Sequence, residues 1–200
     1  MINLGDASKP RQNKYVLLFE DSIEYEGRKL YRIMALVDIP ARLIKAGDLG
    51  GYIAGYHNLS QTGLSWVGKH AIVMDNAWVG GNADIRHSAI IEDTAKVYGN
   101  AVVKIRGHVW GDARVFGDAI ITDHASVGEH AVVEGYAVVK HNAIVIDYAK
   151  VRGETLICNL AFVGGYANIA GGSIVCDNAS VCGHAYLTGD TRVCGSHIIM

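Results

Sequence analysis

From Val67 to Ile199 every sixth residue is aliphatic, and the pattern runs through 23 hexads without an insertion. Two residues before each aliphatic position sits a small residue, mostly alanine (Ala71, Ala77, Ala83, Ala89, Ala95). The exceptions in that second column are Ser65, Gly107, Thr155, Ser173, Thr191 and His197. A fixed period of this kind is the mark of a repeat architecture. Six residues fit a short strand plus a two-residue corner, and positions two apart in a strand share one side. The alanine and the aliphatic residue therefore both face the interior of a narrow coil. Three hexads close a triangular coil of 18 residues, stacked on its neighbours by parallel ladders. At one ladder step per coil, nearly eight coils make a prism roughly 37 Å long.

The corners follow the same logic. Reading every eighteenth residue gives a glycine column, Gly81, Gly99, Gly117, Gly135, Gly153, Gly171 and Gly189. The other two edges are mixed, with Asp75, Asp93, Gly111, Glu129 and Asp147 on one, and His87, Ile105, Asp123 and His141 on the other. Most of these residue types tolerate a positive φ. Segregation of glycine to one edge is what three faces predict.

Ahead of the repeat, residues 1–13 are expected to form a flexible arm. Residues 14–50 read as a β-hairpin or cap segment, with a Glu26-Gly27 turn between Ser22–Tyr25 and Leu30–Val37 and an end at Asp38-Ile39-Pro40. Residues 51–66 read as an irregular first coil, because Ile53 and Leu59 are six apart but out of frame with Val67 by two residues. Residues 67–200 are the regular coil. The cap is expected to cover ladder edges that would otherwise invite aggregation. At His197-Ile198-Ile199-Met200 no cap is visible, and that end is expected to be closed by end-to-end self-association or by a partner.

The wording Gly99-Asn100-Ala101-Val102-Val103 and Gly111-Asp112-Ala113-Arg114-Val115 resembles the hexapeptide-repeat, left-handed parallel β-helix proteins. With Gly47-Asp48-Leu49-Gly50-Gly51-Tyr52-Ile53 and Asn58-Leu59-Ser60, the chain resembles the enterobacterial YdcK-type proteins and their phage relatives. The resemblance covers residues 14–200. It implies an all-β, three-faced, left-handed coil with a small N-terminal β segment, and a homotrimer. Relatives with this architecture are commonly labelled acyltransferases, with acyl-CoA as co-substrate and a histidine as general base. Fold alone is weak ground for mechanism.

Outward positions sort by face. The first face carries Trp66, Asp84, Val102, Ile120, Val138, Leu156, Ile174 and Arg192. Its five central aliphatics, Val102 to Ile174, form a stripe expected to be the trimer interface; the competing reading is the ordinary strand preference for β-branched residues. The second face carries Ile72, Ile90, His108, Ser126, Ile144, Phe162, Ser180 and Ile198. The third, with Trp78, Lys96, Arg114, Val132, Lys150, Asn168 and Tyr186, reads as solvated.

Beside the aliphatic stripe lies a basic edge of Arg86, His87, Lys104, Arg106, His124, Lys140 and His141. Arginine forks and lysine ammonium groups suit a small anion such as a phosphate or nucleotide in an inter-subunit groove. The alternative is a solvated edge whose charges pair with a neighbouring subunit. His124 and His141 are the candidate bases if the protein is an enzyme. The relatives' acyltransferases extrude a loop from the coil to position substrate, and this coil has no insertion, so catalysis is disfavoured. The expected reading is a non-catalytic binding protein without a cofactor. An acyltransferase, or a structural module of a larger assembly, are the alternatives.

No metal site is expected. The nearest histidine pairs, His124 with His130 and His108 with His124, are six and sixteen residues apart. Family carbonic anhydrases hold zinc with two histidines five apart and a third from a distant coil. Cys158, Cys176 and Cys194 stack in one column, but parallel Cβ vectors lead to an expectation of free thiols. With no secretory leader visible, these thiols point to the cytoplasm. A net charge of −2 gives no global attraction to nucleic acid, and no stretch reaches transmembrane length.

Overall fold

The computed structural model describes residues 13–200, so the expected N-terminal arm, apart from Asn13, lies outside the described residues. The chain is an all-β, three-faced β-solenoid with 18 residues per turn and an antiparallel segment at its N-terminal end. No α-helix occurs among the described residues.

Strand β1 (Tyr15–Tyr25) pairs antiparallel with β2 (Arg28–Ala35). Glu26 and Gly27 join them with φ of 48° and 75°, the positive pair that a two-residue hairpin turn requires. After a short 3₁₀ turn at Pro40–Arg42, β3 (Leu49–Ile53) pairs antiparallel with β2 on one side. On its other side β3 pairs parallel with β5 (Ile72–Val73). The cap therefore continues directly into one face of the coil, making that sheet 11-stranded beside sheets of eight and seven.

The hexads become two-residue strands, from β4 (Trp66–Val67) to β26 (Ile198–Ile199). Each ladder residue from Val67 to Val181 has no exposed surface. Burying such a side chain stabilises by about 1.5–3 kcal/mol, so the column is the chief source of stability. Ile53 pairs with Val73 and Leu59 with Val79. These offsets of twenty rather than eighteen residues are the two-residue frame difference seen in the sequence.

The turn residue at each corner from Asp75 to Gly195 has positive φ, including His87, Ile105, Asp123 and His141. Several of these side chains reach one coil onward. Asp93 Oδ2 accepts from the Gly111 amide at 2.9 Å, Asp123 Oδ2 from His141 at 3.1 Å, Asp147 Oδ2 from Gly165 at 2.6 Å and Asp177 Oδ2 from Gly195 at 3.0 Å. The amide of Gly195, then the Asn159 side chain, hold the Asp177 carboxyl below the usual range.

The cap is tied to the first coil by buried polar contacts. Asn58, fully buried, donates through Nδ2 to Ala77 O at 2.8 Å and accepts from the Gly55 amide at 2.8 Å. Lys14 Nζ donates to Ser65 O and Oγ at 2.8 and 3.0 Å, and burial pulls its pKa down to about 8. In the unfolded chain this lysine titrates near 10.5. Between those values the unfolded state binds more protons, so Lys14 contributes stability that grows as pH rises through the window. Thermal unfolding of the parent protein and of Lys14→Met should show it. The parent's midpoint is expected to gain on the variant's from pH 8 to 10.5; parallel curves would rule the assignment out.

Candidate ligand-binding edge

The first face presents its outward residues in register, Asp84 beside Val102, then Ile120, Val138, Leu156 and Ile174. Trp66 and Asp84 are buried, the five aliphatics are half-buried and Arg192 is exposed. The stripe therefore offers contiguous apolar surface to solvent.

At the adjoining edge, parallel pairing sets the basic residues in columns one ladder step apart. Arg86, Lys104, Thr122, Lys140 and Cys158 share the column just past the ladder, with His87, Ile105, Asp123 and His141 in the next. The structure treats these residues differently. Arg86 binds Asp84, with Nε 2.5 Å from Oδ2, and Arg42 Nη1 meets the same carboxylate oxygen at 2.9 Å. A buried carboxylate between two guanidinium groups leaves a net positive charge at the mouth of a cleft of about 380 Å³ lined by Leu43, Ile44, Trp66 and Gly68. Arg106 Nη1 donates to His124 Nε2 at 3.1 Å, since a guanidinium can only donate. His141 Nδ1 accepts from the Asn159 amide at 3.3 Å. Both candidate bases thus spend a ring nitrogen on the coil. Lys104 and Lys140 make no side-chain hydrogen bond or ion pair among the described residues, and the hydroxyl of Thr122 between them is buried without a partner.

Sequence reasoning missed Arg42 and Asp84. Arg42 reaches 42 residues along the chain to its partner, and no periodicity carries such a contact. Asp84 did leave a signal, as the one carboxylate in an outward column otherwise largely apolar.

The cysteine column corrects an expectation. Cys176 and Cys194 form a disulfide, with their Cα atoms 4.6 Å apart. That spacing falls within the span of a bridge, so parallel Cβ directions do not prevent the sulfurs from meeting. Cys158 and Cys182 are free, and burial pushes the Cys158 thiol up. The bonded pair no longer supports a reducing compartment.

Two further histidines each meet a carboxylate. His108 Nε2 meets Glu92 Oε1 at 2.6 Å, and His130 Nδ1 lies 3.3 Å from Asp112. Among the described residues, one group of three potential ligands comes together, Cys176, Asp177 and Cys194, and two of its members are bonded to each other.

No family model matches the chain, and no curated protein matches its sequence. Fold and edge together define a three-faced parallel β-solenoid with an apolar stripe beside a basic corner. No helix among the described residues is long and apolar enough to cross a membrane.

Proposed function

We propose that this protein is a non-catalytic homotrimer of left-handed hexapeptide coils that holds a small anion, of phosphate or nucleotide type, in grooves between its subunits. The observation that carries this reading is the half-buried stripe from Val102 to Ile174 lying beside Lys104 and Lys140, two cations without internal partners. Apolar surface of that kind favours burial against another copy, and a three-fold arrangement brings the basic edge of one subunit to the rim of the next. Commitment of His124 and His141 to the coil supports binding over turnover. In a phage setting, such a groove would serve to sequester a nucleotide signal.

The test is mass spectrometry of small molecules released from the purified protein, together with light scattering. The expected results are a phosphate-bearing compound and a particle of three times the 21.5 kDa chain. Lys104→Ala/Lys140→Ala should lose the compound and keep the assembly. Retention of the compound by that variant would remove the groove from the proposal, and acyl-CoA turnover abolished by His124→Ala or His141→Ala would replace binding with catalysis.

A further inference from the structure

A second basic site lies on the third face, away from the edge just described. Lys96 in β9 (Lys96–Val97) and Arg114 in β12 (Arg114–Val115) are in-register partners on neighbouring coils, both exposed and both pointing outward. Neither makes a side-chain hydrogen bond or ion pair among the described residues. Other arginines are matched to carboxylates, Arg28 to Asp75 and Arg32 to Asp21. Asp112, the carboxylate that lines the same cleft, is taken by Thr94 and His130. Two like charges one ladder step apart repel, and an anion between them removes that repulsion.

The walls on either side differ. A cleft of about 400 Å³ runs from Lys96 and Arg114 to Thr94, Asp112, His130 and Val132. A second, also about 400 Å³, runs from the same two cations to Trp78 and Tyr98. Trp78 is the in-register neighbour below Lys96. Its ring lies down over Gly80, where a Cβ would fall 2.2 Å from Cη2, so glycine there makes room for it. Tyr98 and Phe116 stack with centroids 4.9 Å apart and planes 4° from parallel. Trp78 stands outside that stack, tilted 43° to Tyr98 at 6.2 Å, and is 36 % exposed. An open indole beside a pair of unmatched cations is a ledge for a flat ring next to a seat for an anion.

We infer that this face binds a mononucleotide, with the phosphate between Lys96 and Arg114 and the base against Trp78. The guanidinium of Arg114 forks onto two phosphate oxygens while the Lys96 ammonium neutralises the third. The site lies within one chain and does not depend on the subunit groove.

Calorimetric titration of the full chain carrying Lys104→Ala/Lys140→Ala, which removes the groove's cations, with adenosine 5′-monophosphate, adenosine and inorganic phosphate tests it, and the substitutions below are made in that background. The monophosphate is expected to bind best, less tightly as salt is raised. Lys96→Ala/Arg114→Ala should weaken it at least about tenfold, the least that loss of charge-assisted hydrogen bonds predicts. Trp78→Leu should weaken the monophosphate and leave inorganic phosphate unchanged. Because the groove cations are absent from every protein titrated, binding at this site is read apart from the groove. All these positions face solvent, and unaltered circular dichroism will confirm that the variants fold. Full affinity in Lys96→Ala/Arg114→Ala, or inorganic phosphate binding as tightly as the nucleotide, would overturn the assignment.

Discussion

Gly51→Ala is expected to cost the protein about 3 kcal/mol or more, a large effect for one added methyl group. Gly51 is buried in β3, where the cap meets the coil. A Cβ there would lie 2.4 Å from the carbonyl oxygen of Ala71, 2.5 Å from that of Gly68 and 2.8 Å from Val67 Cγ1. The two carbonyls are already engaged, Ala71 O with the Tyr52 amide at 3.0 Å and Gly68 O with the Ala71 amide at 2.9 Å. They cannot retreat without breaking the ladder that joins cap to coil. Gly47→Ala is the control, because a Cβ there meets nothing within 4 Å and only the φ of +95° opposes it. That variant should lose about 1–2 kcal/mol, the cost of a left-handed residue. Denaturant unfolding will rank the two, with proteolysis of the cap as a second reading. A Gly51→Ala protein within 1 kcal/mol of the parent would show that the junction can yield, contrary to this packing.

The second large effect is expected at Val138. If the apolar stripe is the subunit interface, Val138→Asp should convert the trimer to a monomer with unchanged circular dichroism. Val138 points outward and is half-buried in the single chain, so a carboxylate there keeps its water when the chain is alone. In a trimer it would be stripped of water near the two like charges of its partners, at several kcal/mol per ion. The dissociation constant should therefore rise by at least about a thousandfold. Lys150→Asp, on the exposed third face, should leave the mass as it is. Sedimentation velocity decides the matter. A parent protein that is monomeric, or a Val138→Asp variant that stays trimeric, would remove the stripe from the interface.

Much of this architecture could be read before any coordinates, because the repeat makes each hexad testify for the next. The ladder from Val67 to Ile199 predicted the strand positions of β4 to β26 as they stand. The corner columns were equally legible, down to an unfavourable Ile105 at φ of 63°. What escaped were contacts that obey no period. The ion pairs joining Arg42 and Arg86 to Asp84 depend on how the 3₁₀ turn settles on the coil. The Cys176–Cys194 bridge depends on where two side chains turn, which Cβ direction alone does not fix. The motif Gly50-Gly51 was visible as letters, but its meaning as a close approach needed the carbonyls of Gly68 and Ala71 around it. The basic edge is intermediate. Its columns followed from arithmetic, whereas the division into a paired Arg86 and unpaired Lys104 and Lys140 did not.

The corner side chains give the coil a head and a tail. Each bond from Asp93, Asp123, Asp147 or Asp177 joins an acceptor in one turn to an amide in the turn that follows, and none of the four runs the other way. The prism is thus polar in the manner of a plug and socket, with acceptors facing one direction and amides the other. Among the described residues, Gly183, Gly189 and Gly195 are the last corners of the three edges, and they carry no side-chain acceptor. At these three corners the side-chain latch that fastens one turn to the next is missing.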